Sequence, residues 1–166
     1  MDLRLHRPRC FPVCLDLFFL KRPPVKSLLP AWSLPAVLQV LMRSPFEPMN
    51  KASLHDLTIK TAFLVAIATG HRVSTIHALS VDPGHIRWEP SGVRLVPRAD
   101  FIAKNQSSSS PLVEIFLPSM ASLSSVEEDK VWCPVRALKW YLDRVRSKRT
   151  ASSLFVTYFA PFYGCY

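Results

Sequence analysis

The longest uninterrupted apolar pattern in the chain runs from Leu57 to Ala68, where Leu57, Ala62, Phe63, Leu64, Val65, Ile67 and Ala68 leave almost no polar face. That pattern predicts a helix capped by Ser53 or Asp56, with Lys60 near its solvated start. Thr69-Gly70 should stop it, because glycine tolerates the left-handed conformation that ends helices. His71 and Arg72 follow at once, and Val73 to Leu79 reads as a second apolar helix. An arginine is thereby delivered at the tip of a buried helix pair, and a buried guanidinium needs an anionic partner. The alternative is an ordinary surface arginine in a loop.

Upstream, Leu34, Val37, Leu38 and Leu41 recur at helical spacing, with Pro35 in the first turn and Pro45 and Pro48 beyond the end. Downstream the period changes. His85–Trp88 and Val93–Pro97 alternate around a Glu89-Pro90-Ser91-Gly92 turn, and Phe101–Lys104 is a third short run. After a serine-rich loop, Leu112–Leu117 places Val113, Ile115 and Leu117 on one face of a strand. Ser119–Lys130 is a polar connection. Cys133-Pro134 then opens a helix to Ser147 whose apolar stripe is Val135, Leu138, Tyr141, Leu142 and Val145. The expected class is α+β, mainly helical, with a small antiparallel sheet. Residues 1–30 read as a basic, proline-rich arm or linker, 31–158 as the folded domain and 159–166 as an aromatic tail.

Charge changes this picture. The chain of 166 residues carries a formal net charge of +9, which favours a polyanionic partner, nucleic acid above all. From Lys130 to Arg149 only Asp143 opposes Lys130, Arg136, Lys139, Arg144, Arg146, Lys148 and Arg149. This basic helix is either a solvated face or a phosphate-binding one. Cys10 and Cys14 could begin a zinc site, but no second pair with ligand spacing follows, and His55, His71, His77 and His85 lack the spacing of a metal site. No metal or cofactor is expected. Val13–Leu20 is broken by Asp16 and falls far short of the roughly 20 apolar residues of a membrane span, so a nuclear or cytoplasmic protein without a membrane partner is expected.

The run ATGHRVSTIHALSVD resembles the first arginine motif of the tyrosine recombinases, the phage-integrase family of DNA breaking-rejoining enzymes. Thr69, Gly70, Arg72, Val73, Ser74, Ile76 and Leu79 fit, while Thr75 stands where the family usually carries glutamate. The wider resemblance, over roughly residues 30–158, is to the recombinase-like proteins of eukaryotic tyrosine-recombinase retrotransposons. It rests on AWSLPAVLQVLMRSPFEP, VWCPVRALKWYLDRVRSKR and LFVTY as well. The resemblance implies the N-terminal half of a catalytic domain, with Arg72 as its first catalytic arginine and Lys104 as the hairpin lysine that protonates the leaving oxygen. It also implies DNA contact through His71, Arg136, Lys139, Arg144, Arg146, Lys148 and Arg149. The family's chemistry further needs a His-x-x-Arg motif and a later nucleophilic tyrosine. Neither follows the basic helix here, so the chain is expected not to cleave DNA alone. The alternative is a transposon-derived remnant that acts as a structural or protein-interaction module, self-associating through apolar faces such as one side of Leu57–Ala68.

Overall fold

The structure is a computed structural model that describes residues 33–102, 114–123 and 130–157. Backbone contacts divide the chain into Met1–Ser33 and Leu34–Tyr166, and the elements below all belong to the second unit. In chain order they are α1 (Leu34–Leu41), α2 (Leu54–Thr69), α3 (Val73–His77), β1 (Ile86–Glu89), β2 (Gly92–Leu95), β3 (Ile115–Pro118), α4 (Met120–Leu123) and α5 (Pro134–Val145). The class is α+β: helices packed with one antiparallel three-stranded sheet of order β1-β2-β3.

The central helix α2 begins where a serine can cap it. Ser53 has extended backbone geometry, accepts the Asp56 amide at 3.1 Å, and donates its hydroxyl to the Asp56 carboxylate at 2.6 Å. These contacts satisfy donors that the first helical turn leaves free. Helix α5 starts in the same manner with a sulfur: Cys133 Sγ accepts the Arg136 amide at 3.4 Å, and Pro134 fills the first turn, where its missing N–H costs nothing. Helices α2 and α5 form the most extensive helix pairing in the fold.

Both apolar stripes are used. Leu41, Met49, Leu57, Leu64, Ala137, Tyr141, Val145 and Val156 join α1, α2 and α5 in one cluster. A second cluster packs Val65, Ile76, Leu79, Val135 and Leu138 against Val93, Leu95, Ile115 and Leu117 of the sheet. Antiparallel pairing of Val93 with both Trp88 and Leu117 puts these three on the inner face, and pairing of Arg94 with Arg87 and Phe116 puts those three on the outer face. The hairpin turn is Pro90-Ser91. Gly92 beside it is obligatory for space, since a Cβ there would lie 2.3 Å from the Leu117 carbonyl oxygen.

The sheet is shorter than the sequence pattern suggests. Phe101 and Ile102 form no strand, because the chain turns at Arg98–Phe101 with the Phe101 amide bonded to the Arg98 carbonyl at 3.0 Å. Within the described residues the last strand spans Ile115–Pro118; Leu112 and Val113, which open the expected strand, lie outside them. The second apolar helix after Gly70 ends at His77, and its last residues peel off to pair elsewhere. Leu79 O accepts the Leu154 amide at 2.7 Å, and the Val81 amide bonds Ser152 O at 2.7 Å. The apolar run Leu154–Val156 is thereby stitched back into the core after α5. Among the described residues no helix is long and apolar enough to cross a membrane.

Candidate nucleic-acid interface

Arg72 is positioned by the way α2 stops. Gly70 has φ of +62° and ψ of 12°, and its amide bonds the Ala66 carbonyl at 2.9 Å, closing the helix in the left-handed conformation glycine accepts without penalty. Thr69 Oγ1 donates to Val65 O at 2.8 Å and tightens the same turn. The chain then extends for two residues, and Arg72 becomes the N-cap of α3, with φ of −67° and ψ of 152°. Its carbonyl accepts the Thr75 and Ile76 amides at 2.9 and 3.1 Å. Its side chain takes no part in the cap, is exposed, and has no hydrogen-bonding or ion-pair partner among the described residues. The expected burial at a helix-pair tip is therefore corrected. The turn lies at the surface, and the next residue, Val73, is 81% exposed. His71 is half-buried beside Arg72, whereas Thr75 is buried beneath the turn. Lys104 lies outside the described residues.

The basic helix divides into two populations. Three of its guanidinium groups are spent on the protein itself. Arg136 grips Glu47, with Nη1 2.9 Å from Oε1 and Nη2 3.4 Å from Oε2. Arg144 donates to the carbonyls of Met49, Asn50 and Ala52 at 3.2, 2.9 and 3.2 Å. Arg149 reaches the carbonyls of Ala151, Ser153 and Leu154, clasping the returning C-terminal segment. Three more have exposed side chains, and Lys130 is half-buried. Lys139 holds its ammonium 5.2 Å from the centre of the Trp88 ring, Arg146 pairs with Asp143 at 2.7 Å on an open surface, and Lys148 is exposed. Among Arg72 and the basic residues from Lys130 to Arg149, the exposed side chains accessible to an external phosphate are Arg72, Lys139, Arg146 and Lys148.

Lys60 departs furthest from expectation. Far from lying at a solvated helix start, it is 0% exposed. Its Nζ donates to Glu47 Oε1 at 2.7 Å and to the Leu41 carbonyl at 2.8 Å. Glu47 also accepts the Met49 amide at 3.1 Å and the two Arg136 bonds, so one carboxylate ties the segment after α1 to α2 and α5. Burial by itself would raise the Glu47 pKa, but hydrogen bonds from Arg136 and Lys60, and their charges, outweigh it and hold the carboxyl below its ordinary value. Burial lowers the Lys60 pKa, and the Glu47 contact offsets this only in part.

The outer face of the sheet was also missed. Arg94 Nε pairs with Glu89 at 2.5 Å, Arg87 pairs with Glu114, and Arg94 stacks over Phe116 at 5.4 Å. Arg87 and Arg94 stand opposite each other in the register, but each is paired with a carboxylate, so this face is close to neutral. No group of three His, Cys, Asp or Glu side chains among the described residues is arranged to hold a metal ion. Near the N-terminus of α5 an open cavity of about 290 Å³ is lined by Cys133, Arg136, Lys139 and Trp140 among others. A second, of about 330 Å³, lies on the far side of Lys139 against Trp88. No family model, curated protein or solved structure matches the chain.

Proposed function

We propose that this chain is a DNA-binding domain derived from a tyrosine recombinase, with Arg72 as its phosphate-contacting arginine. The observation that carries the reading is the Thr69-Gly70-His71-Arg72 turn. A left-handed glycine ends an apolar helix, and an exposed arginine whose side chain has no partner among the described residues caps the next. A planar, permanently charged guanidinium in that position suits the non-bridging oxygens of a phosphodiester. Net charge supports the same partner: the carboxylates Glu47, Glu89, Glu114 and Asp143 are already paired with basic side chains, leaving the surplus positive charge outward. Binding to duplex DNA should be weak, sequence-independent and governed by counterion release. The test is a titration of the purified chain against labelled duplex at increasing salt. Three or four phosphate contacts give a log–log slope of roughly −3, whereas affinity that ignores salt would refute the reading.

A second reading is favoured by one feature of α2. Ile59 and Ile67, eight residues apart on one flank, are 42% and 44% exposed, and Val73 just beyond is barer still. Apolar side chains left on the surface in this way suit a protein contact. Under this reading the chain is an interaction module, and sedimentation at increasing concentration would show association that Ile67→Lys abolishes.

A further inference from the structure

Trp88 is out of place for an inner-face strand residue. Its register partners on that face, Val93 and Leu117, are both completely buried, yet Trp88 is 46% exposed. Strand β1 is one of the two edges of the sheet, and its Trp88 lies against Lys139 of α5 rather than within the core cluster. There it walls the cavity of about 330 Å³, together with Lys139, Leu142, Asp143 and Arg146. Lys139, Leu142, Asp143 and Arg146 recur at helical spacing along one face of α5. An indole plane, an apolar floor, two cations and the Asp143 carboxylate, which Arg146 pairs, thus line one open groove.

We infer that this groove takes an unpaired nucleobase, so that the chain binds single-stranded DNA by stacking a base on Trp88 while Lys139 and Arg146 hold the flanking phosphates. Volume fits: pockets that hold small ligands begin at about 300 Å³. Charge fits as well. The ammonium of Lys139 already rests against the Trp88 ring at 5.2 Å on a flexible four-carbon stem, so it can swing to a phosphate without moving the backbone. Arg146 and Asp143 are 80% and 65% exposed, a pairing weak enough for Arg146 to change partners. Aromatic planes interleaved with cations are the general means by which single strands are held, because every base has a π-face whatever its sequence. Duplex DNA keeps its bases stacked inside and offers Trp88 nothing. The outer sheet face, by contrast, has its arginines neutralised by Glu89 and Glu114.

The inference rests on the reading of the chain as a nucleic-acid-binding domain, but it involves different residues from Arg72, so the two can fail separately. The experiment measures fluorescence anisotropy of labelled oligothymidylate and of a labelled duplex with the full chain, with Trp88→Ala, Trp88→Phe and Lys139→Ala. Circular dichroism confirms the fold of each. Trp88→Ala should weaken single-strand binding roughly 5- to 100-fold, and Trp88→Phe, which keeps a ring to stack on, should stay within about 3-fold of wild type. Lys139→Ala, at an exposed site, should weaken single-strand binding and reduce its salt dependence, and it tests the groove if Trp88→Ala does not fold. Duplex binding should be nearly indifferent to Trp88. Single-strand affinity unaltered by Trp88→Ala and Lys139→Ala would overturn the groove while leaving duplex binding through Arg72 intact. Single-strand binding that needs Trp88, with no duplex binding, would uphold the groove and sink the duplex reading. Binding to neither probe would sink both. Competition by polyglutamate as effective as by oligothymidylate would also overturn the inference, since the groove would then be reading charge alone.

Discussion

Removing the Glu47 carboxylate should destabilise this fold far more than removing the lysine it holds. Glu47 accepts bonds from Lys60, both terminal nitrogens of Arg136 and the Met49 amide. In Glu47→Ala the Lys60 ammonium, completely shielded from water, keeps only the Leu41 carbonyl. Stranding one partner of a buried ion pair costs about 3–5 kcal/mol. Lys60→Met is a different change. Methionine fills most of the same space, the burial cost of the ammonium vanishes, and Glu47 retains Arg136 and the Met49 amide. The net loss should be about 1 kcal/mol, chiefly the Leu41 carbonyl left without its donor. Placing Lys60→Met into the Glu47→Ala background should therefore restore about 2 kcal/mol, a non-additivity expected only if the two groups are directly coupled. Urea unfolding followed by circular dichroism measures all four chains, and unchanged m-values confirm that native stability is what moved. If Glu47→Ala cost less than about 1 kcal/mol, or the double variant were simply the sum of the singles, the network would not be a structural centre.

The same groups set a pH profile. The Glu47 carboxyl lies below its ordinary 4.5 in the folded chain, so its stabilisation is complete above that value and is lost as pH falls through the folded pKa. Asp56, held below 3.8 chiefly by the Ser53 hydroxyl, adds to the acid limb. Lys60 behaves oppositely at the alkaline end. Its folded pKa is below 10.5, so between the two values the unfolded chain binds the extra proton and stability climbs with pH. Unfolding free energies across pH should show both limbs, and Lys60→Met should flatten the alkaline one. Two glycine substitutions separate conformation from space. Gly70→Ala meets no atom within 4 Å and should cost only the left-handed penalty, about 1–2 kcal/mol. Gly92→Ala, with no such backbone demand, drives its Cβ into the Leu117 carbonyl and the Phe116 ring, so it should cost more in a thermal melt. Tyr141→Phe leaves the buried Val156 amide without the phenol oxygen it reaches at 2.9 Å, a loss of about 1–3 kcal/mol by chemical denaturation.

The elements that sequence made legible are those in which one local rule decided the outcome. The Ser53 cap, the Gly70 stop and the Cys133-Pro134 start each depend on residues within a turn of one another. Of the stripe Val135, Leu138, Tyr141, Leu142 and Val145 all but the half-buried Leu142 are buried as the spacing demands, and Ile115 and Leu117 point inward as alternation demands. What stayed hidden depends on partners far away in the chain. Lys60 looked solvated because polarity on a helix ordinarily marks the wet face, and nothing local shows that Glu47 waits beneath it. Counting charge on α5 could not show that Arg136, Arg144 and Arg149 are occupied, because two of them bind backbone carbonyls that carry no sequence signature. Trp88 was legible as a strand residue, but its groove forms only with Lys139 and Leu142 of α5, far along the chain.

The central claim is that the exposed guanidinium of Arg72 engages DNA phosphate, and one measurement addresses it directly. Affinity for a labelled duplex should be measured for the wild-type chain and Arg72→Ala over a range of potassium chloride concentrations. The Arg72 side chain makes no hydrogen bond or ion pair among the described residues, and its backbone cap is kept in alanine, so both proteins should melt alike. The account predicts that the variant binds roughly 5- to 10-fold more weakly at low salt and that its log–log salt slope is shallower by about 0.9, the loss of one phosphate contact. Equal affinity and equal slope for the two proteins would contradict it.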